Sequence, residues 1–276
     1  MADSNREISM IRITLAGCTG WVGKALVAAI AAAPDLALVA GVSRKAAGRD
    51  LGEAAGLPAN GLPVFASVEE ALAIPSDVLI DYTKPDSVKG NVLAAVAAGR
   101  HVVVGASGMT GEDYAEIDAA AKAAGVGVLA AGNFSVTATL LRRFAREAAK
   151  YVPDVEIIDY ASAAKPDTPS GTGRELAETL GAERMAGTAK PVAELGGVRE
   201  TRGGAIGAPN PVQVHSVRMP GFVLSCEALF GLPDERLVIR HDAGSSAAPY
   251  VGGTLLAARR VAEQAGLRRG LDSLMG

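Results

Sequence analysis

Apolar residues in the first half of the chain fall into short compact runs, separated by longer Ala-rich stretches with polar residues at helical spacing. The compact runs are Ile11–Ala16, Leu36–Val42, Val78–Tyr82, His101–Gly105 and Val126–Ala130. Runs this apolar predict strands buried on both faces, as in a parallel sheet. Trp21–Ala33, a stretch from Pro85 to Gly99, and Glu112–Ala124 predict the helices between them. Pro34-Asp35 stops the first helix, and Pro85 suits the first turn of the second. Ser67-Val-Glu-Glu70 reads as a capping box that opens a further short helix. Strand and helix in alternation imply a doubly wound α/β fold of the Rossmann type.

The second half changes pattern. A helix over Ser135–Lys150 is followed by a strand at Val155–Ala161, a loop rich in Pro, Gly and Ser at Lys165–Gly171, and a helix at Thr172–Leu180. Three β-rich stretches follow, Val212–Met219, Phe222–Phe230 and Arg236–His241. Turns at Pro220-Gly221 and Pro233-Asp234 predict that they pair antiparallel. A last helix is expected over Gly253–Gln264. The expected organisation is a dinucleotide-binding domain of residues 1–134 completed by 243–276. Residues 135–242 are expected to form a second, α+β domain on a mixed or antiparallel sheet.

Composition narrows the function. Lys plus Arg number 27 against 30 Asp plus Glu, a net charge of −3 over 276 residues, which argues against a nucleic-acid binder. No run approaches the ~20 apolar residues of a membrane helix. Met1–Met10 is polar and mixed in charge, so it reads as a disordered arm rather than a signal peptide. Cys18 and Cys226 are far apart, and His101, His215 and His241 are scattered, so no metal-ligand spacing is present. A cytoplasmic protein acting on a small molecule, without a membrane or a metal, is expected.

The first candidate chemistry is Gly17-Cys-Thr-Gly20-Trp-Val-Gly23, a GxxGxxG turn between the first strand and the first helix. Glycines there allow a tight turn and close backbone approach, and the helix N-terminus meets a pyrophosphate. Gly17, Thr19, Gly20, Trp21, Val22 and Gly23 are the expected phosphate-side residues, with Trp21 covering the cofactor. NAD sites usually place an acid at the end of the second strand to hold the ribose 2′-hydroxyl. Here the residues are Ser43-Arg44-Lys45, a hydroxyl and two cations that suit a 2′-phosphate. The expected cofactor is NADPH, with NADH as the weaker alternative.

Six ordered blocks then resemble the 4-hydroxy-tetrahydrodipicolinate (dihydrodipicolinate) reductase family. Asp81-Tyr-Thr-Lys-Pro85 is similar to its D-F-T-x-P, Gly105-Ala-Ser-Gly108 to G-T-T-G, and Gly132-Asn-Phe-Ser135 to A-N-F-S. Lys165-Pro-Asp-Thr-Pro-Ser-Gly-Thr172 is close to K-x-D-A-P-S-G-T, and it is the most specific block. His215–Gly221 and Ile239-Arg-His-Asp242 follow in order. The resemblance implies NAD(P)H-dependent reduction of a carboxylated cyclic imine in lysine and diaminopimelate synthesis, by a homotetramer. It puts Tyr82, Thr83, Gly105, Ser107, Gly132, Asn133 and Phe134 around the nicotinamide and ribose. It puts Ser170, Gly171 and Thr172 on a substrate carboxylate, and Lys165 beside the reacting nitrogen.

Two departures stand out. The family's His-His pair, four and three residues before the loop lysine, is Ala161 and Ser162 here, so its usual proton donor is missing. The Arg that the family tends to carry after its His-Asp pair is also absent from Asp242–Pro249. Lys165 remains as a cation and candidate acid. Tyr160 and Ser162 share one face of the strand and are substitute donors, directly or through water. Arg240 either reaches a substrate carboxylate or pairs with an acid. His101, His215 and His241 read as structural, and Asp167 as shaping its loop. A paralogue acting on a different imine, and an NADPH-binding protein without turnover, are the alternative readings.

Overall fold

The computed structural model describes residues 10–165, 168–199 and 203–275. The chain divides into two units, Met1–Phe134 with Ala247–Gly276, and Ser135–Ser246. Asp167 and most of the N-terminal arm lie outside the described residues.

In the first unit β1 (Ile11–Ala16), α1 (Trp21–Ala31), β2 (Leu36–Val42), α2 (Leu51–Ala55), β3 (Val64–Phe65), α3 (Val68–Ala71), β4 (Val78–Asp81), α4 (Pro85–Ala97), β5 (His101–Val104), α5 (Gly111–Ala124) and β6 (Gly127–Ala130) alternate along the chain. The sheet is parallel throughout, in the order β12-β6-β5-β4-β1-β2-β3, its last strand supplied by the C-terminal segment. Both faces are covered, as the apolar strands require. Leu26, Val27 and Ile30 of α1 pack with Ile13 and Leu15 on one face. Val88 and Val92 of α4 and Ile117 and Ala121 of α5 pack with Leu79 and Val102 on the other. The chain steps outward from β1 to β2 and β3, then returns to the other side of β1 as β4. That reversal makes a crevice at the carboxyl ends of β1 and β4.

The second unit contains α6 (Val136–Ala149), β7 (Asp154–Ala161), α7 (Gly171–Glu183), β8 (Gly204–Ile206), β9 (Val212–Arg218), β10 (Leu224–Leu232) and β11 (Glu235–Ala243). Its sheet runs β11-β10-β7-β9-β8. Leu141 and Ala145 of α6 and Leu176 and Leu180 of α7 bury one face with Ile157, Cys226 and Phe230. The sheet is mixed, and the expected antiparallel trio is corrected in one respect. β10 pairs antiparallel with β11 and β7, but β9 lies parallel to β7 on its far side. Pro220-Gly221 therefore connects strands that are not neighbours, and β7 is inserted between them.

α8 (Ala248–Arg260) and β12 (Gly266–Arg269) return the chain to the first unit. The helix starts five residues before Gly253, with a proline at its first turn. Gly253 is not a helix start but a close approach, since a Cβ there would lie 2.0 Å from the Phe134 carbonyl oxygen. β11 continues through Ala243, so the unit boundary falls after Ser246 rather than after Asp242.

Candidate functional site

In the first unit the candidate cofactor residues gather at the carboxyl ends of β1, β2, β4, β5 and β6. Gly17 has φ +81, and a Cβ there would sit 2.5 Å from the Tyr82 carbonyl oxygen, so this turn demands glycine. A Cβ on Gly23 would lie 2.1 Å from the Gly17 carbonyl oxygen. These absent side chains let α1 approach the loop and leave its N-terminus open. Gly20 is the N-cap, and the first turn carries no acid that would repel a phosphate. Cys18 is buried beneath the loop with its thiol directed at the Val42 carbonyl (3.4 Å), and burial pushes that thiol up to about 11. The Thr19 hydroxyl meets the Ser43 hydroxyl at 2.8 Å and ties the loop to the end of β2. Arg44 and Lys45 follow, both exposed. Trp21 is 54% exposed and stands edge-on to Tyr250, centroids 5.7 Å apart.

Beyond the reversal, Asp81 ends β4 fully buried. Its Oδ1 accepts from the Thr83 N–H (2.7 Å) and hydroxyl (2.6 Å), and its Oδ2 accepts from Asn91 Nδ2 (2.8 Å). Burial raises the Asp81 pKa, and these hydrogen bonds work against the rise. Asp81 thus fixes the Tyr82-Thr83 corner, a role that sequence reading left unassigned. The Tyr82 hydroxyl meets Thr254 Oγ1 at 2.6 Å, and the Thr254 hydroxyl donates to the Tyr250 carbonyl (2.7 Å). Burial pushes the Tyr82 phenol well above its ordinary range. Its ring lies against Phe134 and over Gly105, where a Cβ would meet ring carbons at 2.3 Å. Ser107 and Gly132 are exposed, Asn133 is half-buried and Phe134 is buried.

In the second unit β7 alternates strictly, with Val155, Ile157, Asp159 and Ala161 on the core face. Tyr160 and Ser162 take the opposite phase. The Tyr160 hydroxyl donates to Glu227 Oε1 (2.7 Å). Its phenol is raised first by burial and then by that carboxylate. Arg240 lies over the Tyr160 ring at 5.0 Å, donates twice to Asp242 (2.9 Å each) and reaches Glu227 at 3.3 Å. Pairing with acids, one of the two roles expected for Arg240, is present. Arg240 draws Asp242 down to about 2, helped by Ser225. His215 pairs with Glu156 (2.8 Å), and His241 is buried with Nδ1 3.1 Å from the Thr137 hydroxyl. Burial lowers the His241 pKa, so a neutral ring is favoured.

Lys165 and Ser162 are brought together by a turn in which the Lys165 N–H donates to the Ser162 carbonyl (3.0 Å). Ser170 then caps α7, its Oγ accepting from the Gly173 N–H (3.2 Å). The side chain of Ser170 is otherwise engaged inward. Its hydroxyl donates to Asp159 Oδ1 (2.6 Å), its N–H donates to Oδ2 (2.8 Å), and the residue is 1% exposed. Exposed Gly171 and half-buried Thr172 begin the helix. First-turn N–H groups of a helix lack intrahelical acceptors and favour an anion.

Two family models together match most of the chain. The model described as dihydrodipicolinate reductase, N-terminus, matches residues 11–134, and its C-terminal counterpart matches 137–275. The chain is 37% identical over 274 residues to a 4-hydroxy-tetrahydrodipicolinate reductase of Synechococcus elongatus, covering 96% of this chain and 98% of that protein. A protein of the same name from Desulfitobacterium hafniense is 34% identical over 267 residues, covering 96% and 98%. Among solved structures, a dipicolinate-bound dihydrodipicolinate reductase from Paenisporosarcina sp. TG-14 superposes with a TM-score of 0.80 at 30% identity, over 96% of this chain and 99% of that one.

Proposed function

We propose, for a chain that belongs to the dihydrodipicolinate reductase family, that it reduces 4-hydroxy-tetrahydrodipicolinate to tetrahydrodipicolinate at the expense of NAD(P)H, the 4-hydroxyl leaving as water, in diaminopimelate and lysine synthesis. The observation that carries the reading is the glycine turn at the β1/β4 reversal, whose missing Cβ atoms leave room for a dinucleotide pyrophosphate. When bound, the nicotinamide supplies the hydride. Gly17, Gly20 and Gly23 give backbone access, with Thr19, Trp21 and Val22 beside them. Ser43, Arg44 and Lys45 bind the 2′-phosphate, which makes NADPH the preferred cofactor over NADH. Tyr82, Thr83, Gly105, Ser107, Gly132, Asn133 and Phe134 hold the ribose and nicotinamide end.

In the second unit the N–H groups of Gly171 and Thr172 receive one substrate carboxylate. Lys165 places an ammonium by the imine nitrogen, where its N–H donates to that nitrogen and draws electron density out of the C=N bond. Ser170 shapes the loop from behind. Ser162, in its turn with Lys165, relays a proton through water. Tyr160 takes no part, because its proton is directed at Glu227. Arg240 is held by Asp242 and Glu227 and belongs to the same sheet-face cluster. That face also exposes Val238, and it is the surface on which a homotetramer assembles. The setting is cytoplasmic, and no helix among the described residues is long and apolar enough to cross a membrane.

Ala161 favours a second reading. It is fully buried where the family carries its proton-donating histidine, so the site suits a related imino acid as well. NADPH oxidation with freshly generated 4-hydroxy-tetrahydrodipicolinate, beside a family enzyme with the His pair, separates the two. Turnover that disappears in Lys165→Ala supports the first. NADPH binding with no turnover on this substrate, but turnover on another cyclic imino acid, supports the second.

A further inference from the structure

The sharpest anomaly in the second unit is a carboxylate on the core face of β7. Val155, Ile157 and Ala161 share that phase with Asp159, which is completely buried. A buried ionised carboxylate persists only when its oxygens are matched by donors. Ser170 donates to both oxygens, from its hydroxyl to Oδ1 (2.6 Å) and from its N–H to Oδ2 (2.8 Å). Arg218 donates from Nη2 to Oδ2 (2.8 Å) and from Nη1 to the Asp159 carbonyl (3.1 Å). Asp159 sits on the central strand, Arg218 ends the parallel strand β9, and Ser170 caps α7. The three lock the start of α7 to the sheet. Gly173 admits the carboxylate, since a Cβ there would lie 3.2 Å from Asp159 Cγ.

We propose that Asp159 is a positioning residue for the substrate-carboxylate loop, with Arg218 as its charge partner. It fixes Ser170 so that the N–H groups of Gly171 and Thr172 point outward in a constant geometry. The inference rests on the reading of that loop as the carboxylate site. Asp159 acts through hydrogen-bond direction and not through charge. Its negative charge opposes an anion nearby, and Arg218 offsets that opposition.

Charge and geometry therefore predict opposite results for Asp159→Asn. Removing a negative charge beside an anion site should tighten a dianion if electrostatics alone mattered. The amide, however, turns an NH2 group toward Ser170 or Arg218, both donors. Losing one charge-assisted hydrogen bond of this kind corresponds to about 10- to 100-fold in affinity. The test is dipicolinate binding to the NADPH-loaded full chain by calorimetry, with NADPH affinity measured alongside. Asp159→Asn should weaken dipicolinate by about 10- to 100-fold, raise KM for the imine more than it lowers kcat, and leave NADPH affinity unchanged. Arg218→Met should also weaken dipicolinate, by leaving Asp159 negative and uncompensated. Unchanged or tighter dipicolinate binding by folded Asp159→Asn overturns the proposal. Should that variant not fold, Ser170→Ala decides, with weaker binding supporting the proposal and wild-type affinity overturning it. Gly171→Pro separates this inference from the reading beneath it, because proline at the first helical position removes one N–H at little cost to the helix. Dipicolinate binding lost in Gly171→Pro but retained in Asp159→Asn overturns the positioning role alone. Retention in both overturns the carboxylate site itself.

Discussion

Gly105→Ala places one methyl group where the Tyr82 ring now lies, and the consequences can be worked out atom by atom. The new Cβ would stand 2.3 Å from two ring carbons of Tyr82. Carbon atoms rest at roughly 3.5–4.0 Å, so the ring has to retreat by more than an ångström. Retreat is blocked on two sides. Phe134 lies against the ring, centroids 6.1 Å apart, and the hydroxyl is held at 2.6 Å by Thr254, which is fully buried and bonded in turn to the Tyr250 carbonyl. Overpacking of this kind costs about 1–3 kcal/mol, and leaving a buried hydroxyl unsatisfied about 1–3 more. The expected destabilisation is about 2–6 kcal/mol, a large share of the stability of an ordinary domain. Urea unfolding followed by circular dichroism measures it, and fluorescence titration with NADPH reports the accompanying loss of affinity at the β4 and β5 ends. Tyr82→Leu introduced into Gly105→Ala should recover part of the loss, because the smaller side chain vacates the space. Wild-type stability and NADPH affinity in Gly105→Ala, or further destabilisation by the second change, would refute the reasoning.

Replacing Arg44 and Lys45 together by Ala should weaken NADPH by about 10- to 100-fold through loss of charge-assisted hydrogen bonds, while NADH affinity stays within about twofold, as two parallel titrations would report. Neither thiol should react with a disulfide reagent at pH 8 in the folded protein, because burial pushes Cys18 up to about 11 and Cys226 up to about 12; both should react in denaturant, and rapid native labelling would contradict this. Acid should weaken the fold in a defined window. Asp113, paired with Lys89 and Thr110, and Asp242, paired with Arg240, are both lowered to about 2, so their contribution is complete above the ordinary carboxylate range near 4 and is lost as pH falls toward 2. Asp81 works in the opposite sense, since burial raises its pKa, and the net fall in urea midpoint between pH 5 and pH 2.5 is the measurement.

Strong local signals made most of the first unit legible. Long apolar runs such as Ile11–Ala16 and Leu36–Val42 coincide with β1 and β2, and the glycine turn lies between β1 and α1 as its spacing predicts. Short elements escaped because they carry no period. Val64–Phe65 and Gly204–Ile206 are two and three residues long, and Gly266–Arg269 follows a helix in a polar stretch. The place of β9 was not legible either. A Pro-Gly turn describes a change of direction, but it does not say which strand will be the neighbour, and β7 takes that place by burying Ile157 between Val214 and Ala228. Asp159 left a signal that pattern reading can use. An acid on the apolar phase of an alternating strand demands donors, and the Ser-Gly-Thr turn eleven residues later supplies them. Tyr160 and Arg240 could not be resolved from sequence, because the partner they share, Glu227, lies on β10 and only register brings it alongside; Asp242, two residues beyond Arg240 on the same strand, was within reach of pattern reading.

The central claim is hydride transfer to the conjugated C=C–C=N system left when the substrate's 4-hydroxyl departs as water, by a site that has Ala161 and Ser162 in place of the family's two histidines. The direct measurement is turnover of 4-hydroxy-tetrahydrodipicolinate with NADPH deuterated at the transferable nicotinamide position, with mass spectrometry of the product. The account predicts tetrahydrodipicolinate heavier by one deuterium, formed by the wild-type chain and lost in Lys165→Ala. Substrate returned unlabelled from a chain saturated with NADPH would contradict it.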